Sequence, residues 1–350
     1  MQINYAKYSE YLLITPYNFT NTHMADHIEE LSHDSVNRFL KRDELSLDLL
    51  YSRVYDDIIY SESGYIMFDD TVLDKNYSHK IDMVRRQYSG NAHGLIKGIG
   101  VVNCVYYNPD LDRFWLLDFR IFNPDEDKKT KIDHLFEMLT FIKNRGVNYK
   151  YALMDSWYAT KEVMLQFMSD ETIFYCPLKD NRQVDDTQGK EKFKRVDTLV
   201  WSESEKVTGK TIKIKDFPGD KRLQLFQVFI STNKVEYIVT NDPNVNKTDG
   251  TIVEVPENHI FLTTSEVRKH TGFRWKIEQL HREEKQLTGI ESCQCRNQTA
   301  QKNHILCAIL VWNCLKNYAY QLKKTVYEIK HSILDYAISM ALKYPKFNFA

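Results

Sequence analysis

The sequence predicts a mixed α/β domain in which one sheet is covered by helices. Segments rich in β-branched and aromatic residues alternate with segments of helical spacing. A hairpin pattern comes first and strands linked by helices follow, which is the order expected of a sheet with antiparallel and parallel pairs. Glycine and proline are scarce, at 12 and 8 of 350 residues, so a long flexible linker is not expected.

The N-terminal region, residues 1–60, has helical character. Residues 32–35 offer capping side chains before the apolar positions of 36–40, and Ser46-Leu47 opens a second short helix. Two short helices joined by a turn are typical of a small DNA-binding module and equally typical of a structural cap. The sequence leaves both interpretations open.

Five strands are predicted between residues 65 and 178. The first, residues 65–68, is a short apolar run that leads into Asp69-Asp70. The segments 98–107 and 113–122 form a hairpin around the turn Asn108-Pro109-Asp110. Helical spacing over 132–143 precedes a fourth strand, 151–154, which leads into Asp155; a helix over 160–168 then precedes a fifth strand, 172–178.

The remaining chain is predicted to hold a β-rich insertion and three helices. Short strands are expected at 211–215, 223–230 and 235–240, and helices at 265–287, 298–323 and 326–342. The predicted division is 1–60 (N-terminal helical region, with DNA binding as one option), 61–180 (core, first part), 181–262 (β-rich insertion), 263–325 (core, second part) and 326–350 (C-terminal helix).

Charge and apolar patterning narrow the class of protein. The net charge of −1 argues mildly against nucleic-acid binding, although residues 75–97 carry five basic side chains against a single acid. No apolar run is long enough to span a membrane, and residues 1–5 lack the pattern of a secretory signal. We therefore expect a cytoplasmic protein with reduced cysteines.

Two aspartates, each at the end of a separate strand, indicate a candidate metal site. Acids at adjacent strand ends converge, and their mutual repulsion is relieved by a divalent cation such as Mg²⁺ or Mn²⁺. A third carboxylate is sought in the helix at 265–287. There Arg274, Glu278 and Lys285, together with His281 or Arg282, follow steps of three and four and share one helical face.

The sequence resembles the DDE transposases of bacterial insertion sequences, in the branch with a Tyr-Arg-Glu-Lys signature. Arg274, Glu278 and Lys285 match that signature at its spacing, while Thr271 stands at the tyrosine position. Phe68-Asp69-Asp70-Thr71 resembles the family's Asp-x-Thr motif, which favours Asp69 over the alternative Asp70. Residues 153–158 (LMDSWY) resemble the family's strand-Asp-x-x-Tyr segment.

The resemblance implies an RNase H-like fold: a mixed five-stranded sheet flanked by helices, with a β-rich insertion before the last catalytic helix. It implies a DNA transposase that cleaves transposon ends and transfers strands into target DNA by a two-metal mechanism. Asp69, Asp155 and Glu278 would hold two Mg²⁺ or Mn²⁺ ions, and Arg274 and Lys285 would bind DNA phosphates. The partners would be double-stranded DNA, at the terminal inverted repeats and the target, bound by a homodimer at the bacterial nucleoid without membrane contact. A non-catalytic DNA-binding descendant and an RNase H-like nuclease are the alternatives.

Three further patterns receive structural interpretations. Cys293-x-Cys295 with His281 and His304 fits no common zinc spacing. The glycines of 94–100 lack the Gly-Lys-Ser/Thr ending of a phosphate loop and are interpreted as the entry to a strand. Trp157, Trp201 and Trp275 offer surfaces for stacking on an unpaired base, but core packing is the expected role of each.

Overall fold

The computed structural model describes residues 3–16, 19–42, 45–77, 80–90, 92–219, 221–232, 234–245 and 261–344. The N-terminal region is helical, as predicted, and comprises α1 (Tyr5–Ile14), α2 (Asn21–Asp26), α3 (His33–Arg42) and α4 (Asp48–Val54). Asn4 and Thr20 cap α1 and α2 through side-chain oxygens that accept from backbone N–H groups.

The core of the protein follows in residues 65–178. Its elements are β1 (Tyr65–Asp74), β2 (Arg85–Ser89), β3 (Gly94–Asn108), β4 (Arg113–Phe122), α5 (Pro124–Asp127), α6 (Lys131–Asn144), β5 (Tyr151–Met154), α7 (Lys161–Ser169) and β6 (Ile173–Leu178). All five predicted strands form, and β2 is an addition that pairs with the first residues of β3. A capping box of Thr130 and Asp133 begins α6.

The five predicted strands lie side by side in the order β4-β3-β1-β5-β6. The pairs β4/β3 and β3/β1 are antiparallel, and the pairs β1/β5 and β5/β6 are parallel. A large mixed sheet of this kind, with helices packed against it, is consistent with the RNase H-like fold of transposases.

The first strand is longer than the sequence predicts. Its antiparallel ladder with β3 runs from Tyr65 to Asp74, whereas its parallel ladder with β5 ends where Phe68 faces Met154. The expectation that β1 stops before Asp69 is therefore wrong, because β3 continues to pair with it. Only the pairing with β5 ends there.

The insertion continues the core sheet. It contains β7 (Gln183–Asp185), β8 (Lys194–Arg195), α8 (Glu205–Thr208), β9 (Lys210–Ile214), β10 (Leu223–Ser231) and β11 (Lys234–Thr240). Because β11 pairs antiparallel with β6, the sheet extends in the order β6-β11-β10-β9-β7-β8. Eleven strands are thus joined within the described residues, because the insertion continues the sheet that the five predicted core strands form.

Four helices complete the described chain: α9 (Thr264–Gly272), α10 (Trp275–Leu287), α11 (Gln298–Leu322) and α12 (Val326–Lys343). The single helix predicted over 265–287 is interrupted at Phe273. Gly272 is a weak helix former, and the Phe273 ring packs against Tyr65 and Tyr107, with ring centres 5.2 and 5.0 Å away. The turn at Phe273 sets the direction of α10 along β1.

The N-terminal helices are fastened to α11. The Tyr8 hydroxyl lies 2.8 Å from His304 Nδ1, and Asn303 donates to the Leu40 carbonyl at 2.9 Å. Apolar side chains of α1, α3 and α4 are buried in the same core, among them Leu12, Val36, Leu40, Leu50 and Val54. The N-terminal helices therefore pack on the same core as α11.

Candidate active site

The two neighbouring aspartates of β1 point to opposite faces of the sheet, as strand alternation requires. Asp69 faces α10, where Arg274 Nη1 lies 3.5 Å from its Oδ2. Asp70 faces α6, where Lys131 Nζ lies 2.6 Å from its Oδ2. The alternation also shows that helices cover both faces of the sheet.

One guanidinium joins Asp69 to Glu278. Besides its contact with Asp69, Arg274 places Nη2 2.6 Å from Glu278 Oε1. Burial opposes the charge of Arg274, yet Asp69, Glu278 and Asp155 together raise its pKa. Arg274 therefore neutralises part of the negative charge of these acids.

Asp155 directly follows β5, the parallel neighbour of β1. Since Phe68 and Met154 form the last pair of the parallel ladder, Asp69 and Asp155 come next on adjacent strands. Burial raises the pKa of Asp69 from 3.8 to about 7, and the charges of Asp70 and Asp155 add to the rise while Arg274 opposes it. The first and second acids are therefore close enough to repel each other.

Two of the three acids, Asp155 and Glu278, open onto a cleft. Asp155, Arg274 and Glu278 line a cavity of about 1020 Å³, with Trp275 at its side. Trp275 is 53% exposed and stacks beneath the Arg282 guanidinium, which lies 5.2 Å from the ring centre. The expectation that Trp275 packs in the core is wrong, and the same holds for Trp157, which is 46% exposed; Trp201 is half-buried.

A basic groove adjoins this cleft, and the two share Ser156, Leu178 and Lys179. The groove has a volume of about 630 Å³ and is also lined by Trp157 and by the cationic side chains of Lys161, Arg182 and Lys215. None of its four cations, Lys179 included, forms an ion pair with a residue that the structure describes. Glu162 and Asp216 also line the groove, so its four cations stand against two acids and its net charge is positive.

The predicted functional face of α10 lies along β1 and β3. After Arg274 and Glu278 comes His281, whose Nε2 accepts from Asn103 Nδ2 at 2.9 Å, and Asn103 is the partner of Asp69 in the β1/β3 ladder. Burial lowers the pKa of His281 to about 3, so the ring is neutral. His281, not Arg282, shares the face of Glu278.

Lys285 occupies the far end of that face. Its Nζ donates to the Val72 carbonyl at 2.7 Å and lies 3.3 Å from Glu291 Oε1. In this structure Lys285 fastens α10 to β1. Thr271, at the position of the signature tyrosine, donates to backbone carbonyls of its own helix.

A family model for the transposase DDE domain matches residues 110–314, more than half of the chain. The chain belongs to this family. The match includes Asp155 and Glu278 and begins after β1, the strand that carries Asp69 and Asp70. Membership confirms the resemblance to the DDE transposases of insertion elements and gives the protein a function in DNA transposition.

Among proteins of curated function, none matches the transposase at a significant level. Across the described residues, none of its helices combines the length and apolar character needed to cross a bilayer.

The family implies divalent metal ions, and the chemistry of this site suits them. Carboxylate oxygens are the ligands that Mg²⁺ and Mn²⁺ prefer. Asp69 is largely buried, its pKa is raised, and it shares a single arginine with Glu278, so this site holds more negative than positive charge. Among the described residues no three acidic, histidine or cysteine side chains already form a metal-sized cluster. The residues therefore fit the ions in kind, with Arg274 standing between two of them.

One contact of the site escapes prediction from the sequence. The Tyr158 hydroxyl donates to Asp70 Oδ1 at 2.8 Å, on the side of β1 away from Asp69. Tyr158 belongs to the strand-Asp-x-x-Tyr pattern, and that pattern was the only available signal. Nothing in the spacing indicates that its partner is the residue after the first acid.

Proposed function

We propose that this transposase cleaves DNA at transposon ends and transfers the freed strands to target DNA, with Asp69, Asp155 and Glu278 as ligands of two divalent ions. One observation carries the proposal: Asp69 and Glu278 share the guanidinium of Arg274, and Asp155 follows the adjacent strand at the mouth of the same cleft. In a chain of the DDE family, three acids distant in sequence are thus related through one arginine and two adjacent strands, which supports this assignment.

The three acids and Arg274 have different roles in this proposal. When bound, the ions activate the attacking oxygen and stabilise the leaving oxygen of the phosphodiester. Asp69 would be the ligand from the central strand, where the ladder with β3 holds its backbone, and Asp155 and Glu278 would be the ligands from the end of β5 and from α10. Arg274 exchanges its acids for a DNA phosphate, for which its planar fork is suited.

Asp70 is the alternative first acid, and its contacts argue against that role. Both of its oxygens are engaged on the opposite face, by Lys131 and by Tyr158.

The proposed role of Lys285 in phosphate binding requires its ammonium group to exchange the Val72 carbonyl for DNA. We therefore assign the first phosphate contact to Arg274.

The basic groove offers a path for double-stranded DNA away from the acids. Each unpaired cation that meets a phosphate releases a counterion, which makes binding depend on salt. Removing Lys161, Lys179 or Lys215 by substitution with alanine should lower the salt slope of binding to a random duplex of about 30 base pairs by roughly one unit each. Lys7, ion-paired with Glu10 on α1, gives the control substitution and should leave the slope unchanged.

Cleavage of DNA from the flanks of the coding sequence tests the activity itself. Duplexes made from any inverted repeats found there, incubated with Mg²⁺ or Mn²⁺, should be cut by the parent protein. Glu278→Gln should cut at least about 100-fold more slowly, because one metal ligand is lost. Glu137→Gln is a matched control, since Glu137 is a helical acid of similar exposure that pairs with Lys129.

The products separate the alternatives. Joined strands in a transfer assay support a transposase, and cutting without joining supports a nuclease. Binding without any cutting supports a non-catalytic DNA-binding protein. A complex that contains two protein copies per pair of DNA ends would support the proposed homodimer. If Glu278→Gln cuts as fast as the parent, the assignment of the third acid is wrong.

A further inference from the structure

Backbone pairing between the two acid-bearing strands stops just before the acids. The parallel ladder of β1 and β5 ends at Phe68 and Met154, and Asp69 and Asp155 come next. Beyond that point the backbones of β1 and β5 are not held together by ladder hydrogen bonds. The separation of Asp69 from Asp155 therefore depends on other contacts.

A side-chain bracket spans this gap. The Tyr158 hydroxyl, three residues after Asp155, donates to Asp70 Oδ1 at 2.8 Å, and Lys131 Nζ lies 2.6 Å from Asp70 Oδ2. Tyr158 is fully buried, and Asp70 and Lys131 retain 17% and 15% of their side-chain exposure. The bracket thus links the residue after the first acid to the turn that follows the second.

The bracket is also held laterally by aromatic rings. Lys131 Nζ lies 5.4 Å from the ring centres of both Trp157 and Phe122. The ammonium group neutralises Asp70, whose charge otherwise adds to the burden on Asp69. Lys131 comes from the first residue of α6, so three separate elements meet at Asp70.

We infer that Tyr158, Asp70 and Lys131 are positioning residues that set the distance between Asp69 and Asp155, and with it the affinity for the divalent ion. This inference rests on the proposed function, because it takes those two acids as ligands. Groups behind the ligands of a metal site commonly change metal affinity by about 10- to 100-fold. The Tyr158 hydroxyl bonds neither ligand, and its backbone N–H meets only the main-chain carbonyl of Asp155, at 3.0 Å, so we expect the lower end of that range.

Tyr158→Phe gives a clean test, because it removes one hydroxyl and no charge. Calorimetric titration of the DNA-free Tyr158→Phe protein with MnCl₂ should show a Kd for Mn²⁺ about tenfold higher than that of the parent. Tyr51→Phe is the matched control: the Tyr51 hydroxyl donates to Asp118 Oδ1 at 3.1 Å, and Asp118 also pairs with Arg120. That cluster likewise joins a tyrosine, an aspartate and a cation, here an arginine, and it lies elsewhere, between α4 and β4.

Both variants should unfold at slightly lower temperature, by roughly 2 °C, since each loses one buried hydrogen bond. Only Tyr158→Phe should lose affinity for Mn²⁺. A second variant, Asp70→Asn, keeps an acceptor for Tyr158 but loses the ion pair with Lys131. It should also weaken Mn²⁺ binding, although the charge that it removes lies on the face of β1 opposite to Asp69.

The outcomes are distinguishable. If Tyr158→Phe binds Mn²⁺ as tightly as Tyr51→Phe, the positioning role is overturned. If the parent and Glu278→Gln bind Mn²⁺ equally well, the metal site of the proposed function fails instead. Loss of affinity in Glu278→Gln and in Tyr158→Phe, with Tyr51→Phe unchanged, supports both.

Discussion

Replacing Arg274 with glutamine should strengthen metal binding by the DNA-free transposase while it weakens DNA cleavage. The guanidinium lies 3.5 Å from Asp69 Oδ2 and 2.6 Å from Glu278 Oε1, so it neutralises two of the three proposed ligands. A divalent ion must compete with this internal cation before it reaches them. The substitution removes the competitor and leaves the acids in place.

The magnitude follows from the two ion pairs. Unit charges about 4 Å apart attract by about 4 kcal/mol at an effective dielectric constant near 20. The side chains of Arg274 and Glu278 are 30% and 36% exposed, so solvent screens much of this energy. About 1 kcal/mol per pair remains as a working value. Releasing both pairs makes about 2 kcal/mol available to the ion, which corresponds to a Kd roughly 30-fold lower.

Calorimetric titration with MnCl₂ measures this change. Because burial raises the pKa of Asp69 to about 7, and Arg274 holds it below what burial alone would give, the pKa rises further in the variant. A buffer at about pH 8.5 lies above the pKa of Asp69 in the parent and limits protonation of this carboxylate in the variant. Without that precaution, protonation of Asp69 would hide part of the gain.

Arg282→Gln is the matched control. It removes the same charge from the same helix, but Arg282 stacks on Trp275 and is not paired with the acids. Its affinity for Mn²⁺ should stay within about twofold of the parent. If Arg274→Gln binds Mn²⁺ no more tightly than Arg282→Gln, Arg274 does not compete with the ion and the reasoning is refuted.

Three predictions concern stability. Burial, reinforced by Glu283, raises the pKa of Glu284 from 4.5 to about 8. Glu284 therefore lowers the free energy of unfolding by a growing amount as the pH rises between those two values. Glu284→Gln should therefore stabilise the protein by roughly 2 to 4 kcal/mol more at pH 8 than near pH 4, as denaturant melts at both pH values would show; equal gains at the two would contradict it. Lys316→Met leaves the buried carboxylate of Glu283 without its cation, 3.1 Å away, and should destabilise by about 3 kcal/mol in urea unfolding. A variant as stable as the parent would mean that hydrogen bonds alone suffice. Gly98→Ala should lower the unfolding midpoint or abolish soluble expression, because a Cβ there would lie 2.3 Å from the Leu73 carbonyl oxygen; an unchanged melt would show that β1 and β3 can separate.

The core fold was predictable because its signals are local. The alternation of residues 98–107 and 113–122 around a turn identifies a hairpin whatever surrounds it, and the helix spacing between later strands implies parallel pairing. The length of β1 was not predictable, because residues beyond Asp69 are held in the strand by β3, a partner distant in sequence.

The site was predictable to the level of its acids and no further. The Arg-Glu spacing on α10 fixes that Arg274 and Glu278 share a face, since helical periodicity acts over a few residues. Which oxygen Lys285 meets depends on where α10 lies against β1, and that is set by packing at Phe273. The pairing of Tyr158 with Asp70 joins residues 88 positions apart, and no local rule specifies it.

The junction between β6 and β11 has a consequence for any shortened form of the protein. In the intact chain β6 is flanked on both sides, by β5 and by β11. Excising residues 181–262 would leave its outer row of N–H and C=O groups open along a mostly buried apolar segment. Such a bare margin recruits strands from other molecules. A minimal catalytic fragment made in this way would precipitate or form fibres. The insertion therefore protects the sheet next to Asp155 by covering the edge of β6.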